Sequence, residues 1–285
     1  MALAHEDERS SIGKTFILGL GHQKCGTTWL YTYLTNQAHF APGMAKEYHI
    51  WDAVDTPELR HRRVGPLQVR LANQSERGRL GLFRAMQRNP ERYYDYFASL
   101  LAGQKTLTAD ITPSYSRLGE DRLAHIRDGF AAREVKAKAI ILIRNPISRV
   151  KSAVRFNLDR GNYKEGIPKG ETDFARALEH YYTSGQCEVR TRYNHIITQA
   201  RAVFDEADLY IGCFEKMFEA SEIERISAFL GVEADPSFAK VKVNKTKGAV
   251  ETTPLDQKIM DFYADVYEFC YANVPDARDL WATKA

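Results

Sequence analysis

The sequence predicts an α/β fold with a mainly parallel sheet, on two observations. Short β-branched apolar runs recur along the chain, and longer segments with helical spacing alternate with them. The first run, TFILGLG at 15–21, has the character of a strand buried on both faces, and helical spacing follows at Thr27–Thr35. A helix over 90–101 leads to the second strand, KTLTAD at 105–110. The third, KAIILIR at 138–144, feeds a helix over 146–158. Helices over 173–182 and 191–204 precede the fourth strand, DLYIGCF at 208–214, and a last helix covers 221–230. Residues 53–89, rich in arginine, and 159–171, rich in glycine and charge, show little periodicity. Both read as long loops over the sheet, where ligand contacts concentrate.

Composition bounds the function without selecting it. At 285 residues the chain is long enough to bury roughly 70–75% of its unfolded surface. No repeat, low-complexity tract or linker stands out, so residues 1–14 are expected to be a flexible N-terminus and 15–285 a single domain. Net charge is +3, from 40 basic and 37 acidic residues, too balanced for a nonspecific nucleic-acid binder. The start, MALAHEDERSSIGK, lacks the basic region and apolar run of a secretory signal. No window approaches about 18 uninterrupted apolar residues, so no membrane span is expected. Cys25, Cys187, Cys213 and Cys270 form no CxxC pair and fit a reducing cytoplasm better than a disulfide framework or zinc site.

The stretch GLGHQKCGTTWLYTYL at 19–34 nearly spells a nucleotide-binding P-loop. Gly21 and Gly26 bracket four residues, but Thr27 and Thr28 stand where a lysine and a hydroxyl residue would follow, and the lysine lies inside the loop as Lys24. A strand ending at Gly21 and a helix starting near Thr27 aim free N–H groups and a positive helix end at an anion. Without the lysine and hydroxyl pair after Gly26, magnesium-assisted ATP or GTP hydrolysis is disfavoured, and a metal-free phosphate ester fits better. A glycine-bearing turn that binds nothing is the plainer alternative. Cys25, within this loop, is the cysteine placed to have a perturbed thiol.

The KxGTTW string, Lys24 to Trp29, resembles the loop of sulfotransferases that use 3′-phosphoadenosine 5′-phosphosulfate (PAPS), in its cytosolic form. The resemblance implies that Lys24 meets the oxygen bridging phosphate and sulfur, where negative charge grows as that bond breaks. Gly26, Thr27 and Thr28 would cradle the 5′-phosphate. Trp29 corresponds to a tryptophan near adenine, with ordinary core packing as the competing reading.

PAPS also carries a 3′-phosphate. RNPISRVKS at 144–152 offers Arg144 at a strand end, Asn145 as a cap, Pro146 in the first helical turn and Ser152 on the helix. The arginine-to-serine spacing resembles the family's 3′-phosphate motif, and arginine supplies the planar fork a phosphate needs. VNKTKGA at 243–249 resembles the loop that closes over the donor, with Lys247 and Gly248 as matching positions and Ala249 where glycan sulfotransferases commonly have arginine.

Transfer to an alcohol needs a base within hydrogen-bond reach. AKEYHIWD at 45–52 supplies Glu47 and His49, which share a face in an extended segment. The stretch resembles the KExHFF segment of heparan-type glycan sulfotransferases, which implies Glu47 as first choice of base and His49 as second; Lys46 pairs with Glu47 or contacts the donor. TPSY, Thr112 to Tyr115, is a further match, with Ile111 where glycan-type members usually carry lysine. FLG at 229–231 and Tyr193 read as structural.

The resemblance covers about 15–248. It implies a P-loop-like three-layer sandwich, a single sulfotransferase domain with PAPS as donor, 3′-phosphoadenosine 5′-phosphate (PAP) as product and no metal. The expected acceptor is a small molecule or glycan with a hydroxyl or amine. Arg60, His61, Arg62, Arg63 and Arg70 are candidates for an anionic-glycan cleft, and Trp51, Tyr93, Tyr94 and Tyr96 for sugar stacking, against solvated and core roles. Two alternatives stand: a P-loop small-molecule kinase, and a PAP- or PAPS-binding protein without turnover.

Overall fold

In the computed structural model, residues 13–163, 165–241, 243 and 252–282 are described. Five strands, β1 (Thr15–Gly19), β2 (Phe40–Ala41), β3 (Leu107–Ile111), β4 (Lys136–Ile143) and β5 (Leu209–Cys213), form a parallel sheet in the order β2-β3-β1-β4-β5. The helices along the chain are α1 (Thr27–Thr35), α2 (Trp51–Asp55), α3 (Pro66–Leu71), α4 (Gln74–Arg88), α5 (Pro90–Leu100), α6 (Glu120–Ala131) and α7 (Pro146–Asp159). They continue as α8 (Phe174–Tyr182), α9 (Gly185–Thr191), α10 (Tyr193–Val203), α11 (Ala220–Leu230), α12 (Leu255–Phe262), α13 (Ala264–Asn273) and α14 (Ala277–Trp281).

Strand alternation explains the three layers. In β1, Phe16 and Leu18 enter one apolar cluster and Ile17 the other; in β4, Ala139, Ile141 and Ile143 join the first, Ile140 and Leu142 the second. The first cluster packs under α5, α6, α7 and α10, and the second under α1 and α11. Each of these strands is therefore apolar on both faces, which produced the unbroken runs in the sequence.

One expectation fails. Residues 53–89 are mostly helical rather than a long loop, with α2, a 3₁₀ turn at Pro57–Arg62, α3 and α4 following one another. In α4 only Phe83 and Met86 of fifteen residues are buried, so the apolar stripe is too thin to set a visible period. Its start is fixed instead by Asn73, whose side chain accepts from the Glu76 N–H at 2.9 Å. The two-residue strand β2 and the C-terminal helices α12 to α14 also went unread, whereas in the stretch expected at 159–171 the described residues after Asp159 carry no helix or strand.

β1 is central, with β3 on one side and β4 on the other, so the order of connections reverses beside it. Crevices at the carboxyl ends of strands at such a reversal are where α/β sheets hold ligands.

Candidate active site

The loop after β1 is built against that crevice. Leu20 and His22 donate N–H groups to Ile140 and Leu142, which keeps the chain in the sheet past the last residue of the strand. The backbone then turns through left-handed conformations at Lys24 (φ 70°) and Gly26 (φ 95°). A Cβ on Gly26 would lie 2.4 Å from the Met217 sulfur and displace that side chain, and the positive φ itself favours glycine there. α1 begins at Thr27, and its first-turn N–H groups have no intrahelical acceptors.

Lys24 points its ammonium over the Phe156 ring, 4.1 Å from the centroid. Burial, with help from Arg144 and Arg160, lowers its pKa to about 8. Cys25 is fully buried, and that burial pushes its thiol up to about 12, so the perturbation is toward inertness. Trp29 is 3% exposed and stacks on Tyr33, with Phe218 and Phe238 edge-on; it packs in the core and also lines the cavity described below.

Arg144 follows β4. Its Nη1 donates to the Lys24 carbonyl at 3.3 Å, its guanidinium covers the Phe214 ring at 4.2 Å, and its buried Nε has no partner among the described residues. Asn145 caps α7 by accepting from the Ser148 N–H at 3.2 Å, and Ser152 stands farther along the same helix, buried. The Tyr193 hydroxyl donates to the Arg144 carbonyl at 2.8 Å, which fixes the strand end.

The opposite wall is the irregular segment 46–50, held against the end of β3; the expected extended backbone fails at His49, whose φ is 53°, so an alternating pattern does not set the direction of its side chain. Ile111 donates its N–H to the Lys46 carbonyl, the Tyr48 N–H reaches Thr112 Oγ1 at 3.0 Å, and the Ile50 N–H reaches the Tyr115 hydroxyl at 3.1 Å. Behind them lies Asp110, fully buried, accepting hydroxyl bonds from Thr112, Tyr93 and Tyr115 at 2.5, 3.0 and 2.8 Å. Burial raises its carboxyl to about 6 against the pull of these bonds.

Lys46 joins the two walls. Its ammonium is 2.9 Å from Glu47 Oε1 and donates to the Thr27 and Thr28 hydroxyls at 3.3 Å each. His49 is clamped between carboxylates, its Nε2 3.4 Å from Glu47 Oε2 and its Nδ1 2.7 Å from Asp52 Oδ2, and the Ser114 hydroxyl donates to the same Asp52 oxygen. Burial works against charge on His49, but its bonds to Asp52 and Glu47 outweigh it and raise the pKa. Burial likewise opposes ionisation of Glu47, and the His49 and Lys46 contacts overcome it, bringing the carboxyl down to about 2.

These groups line one cavity of about 770 Å³, which brings together Lys24, Gly26, Thr27, Thr28, Trp29, Glu47, His49, Arg144 and Ser152. Lys247 and Gly248 lie outside the described residues. Sequence reasoning missed Asp52 and Ser114; the position of Asp52, three residues after His49 where a helix begins, was the readable signal. Of the basic residues proposed for a cleft, Arg62 lines the cavity, while Arg63 is spent on the Ala53 and Val54 carbonyls. Trp51, Tyr93 and Tyr94 are core residues, at most 1% exposed, and are closed to sugar stacking. Among the described residues there is no His/Cys/Asp/Glu group suited to a metal, and no helix long and apolar enough to cross a membrane.

No protein-family model matches the chain, and no curated protein sequence does either. Solved structures similar to it include a sulfotransferase from Alicyclobacillus acidocaldarius, 20% identical over 91% of this chain and 95% of that one, with a TM-score of 0.57. The sulfotransferase domain of a Synechococcus olefin synthase is 19% identical over 90% of this chain and 94% of its own, with a TM-score of 0.48. A mouse sulfotransferase complexed with PAP is 14% identical over 94% and 88%, with a TM-score of 0.45. At 20% identity the likeness to the Alicyclobacillus structure is one of fold, and it agrees with the P-loop-like sandwich expected from the sequence.

Proposed function

We propose that this chain, as one domain over 15–285, is a sulfotransferase that moves a sulfuryl group from PAPS to an acceptor hydroxyl or amine. The observation that carries the reading is the convergence of an anion-binding loop and an ionised carboxylate across Lys46, on one cavity. The orphaned Arg144 Nε, the positive-φ turn at Gly26 and the Thr27 and Thr28 hydroxyls fit a phosphate-bearing donor, and nothing in the chemistry requires a metal. All four cysteines are free, which supports a reducing, cytoplasmic setting.

When bound, PAPS supplies an activated sulfuryl group with PAP as leaving group. Gly26, Thr27 and Thr28 would hold the 5′-phosphate, Arg144 and Ser152 the 3′-phosphate, and Trp29 would flank the adenine side. Lys24, which lies over Phe156, would neutralise charge at the bridging oxygen. Glu47 takes the acceptor proton on a carboxylate oxygen. His49 is the weaker choice of base, because two carboxylates favour its protonated form and leave it no vacant lone pair. It orients Glu47, with Asp52 holding the far nitrogen. The 46–52 segment is also the part that favours glycan-type members of the fold.

Calorimetric titration with PAP, with ADP and with ATP plus magnesium as comparisons, is the test. Binding of PAP that weakens on Arg144→Ala or Ser152→Ala supports the donor assignment; magnesium-dependent ATP binding without PAP binding replaces it with the kinase reading. Glu47→Gln should keep PAP affinity and lower transfer roughly 10²–10⁴-fold. Intact PAP affinity with no transfer by the wild-type protein to any acceptor would identify a binding protein.

A further inference from the structure

Arg117 has no place in the mechanism above. It ends the 3₁₀ turn Pro113–Arg117, whose Ser114 bonds Asp52 and whose Tyr115 bonds Asp110 and the Ile50 N–H. The turn therefore fixes Arg117 relative to the Glu47 and His49 pair. Its guanidinium is half-buried in the cavity wall. Its hydrogen bond goes to a neutral group, Gln186 Oε1, at 3.4 Å, and no carboxylate lies within ion-pair distance of it among the described residues. Of the acids near it, Asp52 serves His49 and Ser114, Glu165 pairs with Arg190 at 2.8 Å, and Glu58, exposed to solvent, attracts it without reaching ion-pair distance. Arg190 itself repels the Arg117 charge.

Arg62 and Arg160 also line the cavity but are exposed, so water serves their charge, and the remaining cations have partners or face the loop after β1. Lys24 and Arg144 face the donor loop, Lys46 pairs with Glu47, and Arg190 pairs with Glu165. A half-buried guanidinium without a counter-ion is costly, and its planar fork matches an oxyanion in bidentate fashion. We infer that Arg117 forms an acceptor-side anion subsite, so that the acceptor carries a carboxylate or a sulfo group beside the hydroxyl that is modified. This inference rests on the sulfotransferase reading.

The experiment uses the PAP-saturated full chain and three phenols matched in shape: 4-hydroxybenzoate, 4-hydroxybenzenesulfonate and the neutral 4-hydroxybenzamide, each titrated calorimetrically. At least one anion should bind about tenfold or more tighter than the amide, a difference that separates cleanly by titration. The advantage should shrink with salt, vanish in Arg117→Gln and survive in part in Arg117→Lys. The carboxylate and sulfonate arms tell which anion is preferred. Unchanged PAP affinity in Arg117→Gln shows that the variant is folded and that Arg117 is outside the donor site. Equal binding of all three phenols, no binding of either anion, or an advantage that persists in Arg117→Gln overturns the subsite while leaving the donor reading intact. Loss of PAP binding in Arg117→Gln alone moves Arg117 to the donor and overturns it too. Failure of the wild type to bind PAP removes the sulfotransferase reading, and this inference with it.

Discussion

The two walls of the cavity are held in place differently. On the donor wall, Thr27, Arg144 and Ser152 sit where strands run into helices, so a few consecutive residues set both the backbone and the side chains. On the acceptor wall, Glu47 and His49 lie on a segment with no helix or strand hydrogen bonding of its own, pinned by Thr112, Tyr115 and Asp110 from more than sixty residues away. The first wall is a local motif, and the second exists only once β3 is folded against it. Damage to one wall should therefore spare the other.

The largest expected effect falls on the charge that would face the bridging oxygen. Lys24→Ala should lower the transfer rate by about 10²–10³-fold, the usual cost of removing a group that stabilises developing charge; single-turnover rates with saturating PAPS check this, and a normal rate would remove the leaving-group role. Next comes the acceptor wall. Asp110→Asn leaves buried hydroxyls short of an acceptor and should cost about 1–3 kcal/mol of stability by denaturant unfolding, with transfer reduced and PAP affinity kept. Because the folded pKa of Asp110 is about 6, above its ordinary value, its contribution to stability is present at low pH and is lost as pH rises through 6. The variant should flatten stability against pH between these limits.

The donor wall gives the smaller effects. Lys24 loses its proton near pH 8, and a bound phosphate holds the charged form, so PAP affinity should fall by up to about tenfold per pH unit above 8. Lys24→Arg should make that profile flat, as titrations between pH 7 and 9 would register. Asn145→Ala should cost about 1 kcal/mol through loss of the α7 cap, seen as a lower melting temperature with the Glu47 chemistry unchanged. If it instead abolished transfer while sparing PAP binding, the separation of the walls would be wrong.

The uneven legibility of the sequence follows the same division. Lys24, Thr27, Thr28, Arg144 and Ser152 converge in the structure because each is a fixed few residues from a strand end. Glu47 and His49 were readable as neighbours, but the extended backbone expected to put them on one face fails at His49, and Asp52 and Ser114 behind His49 come together across sixty residues. The helices within 53–89 were invisible because only a few of their side chains are buried, while the aromatic residues Trp51, Tyr93 and Tyr94, open to a sugar-stacking role by composition, are core.

By itself the sequence determined the alternation of buried strands and helices and the turns that join them around the cavity, since β-branched runs, glycine at positive φ and helix caps act over a few residues. Only the tertiary structure decided which carboxylate is ionised, which partner holds His49 and where Arg117 is left without a counter-ion. Those properties depend on burial and on charges brought together from distant parts of the chain, and no local pattern encodes them.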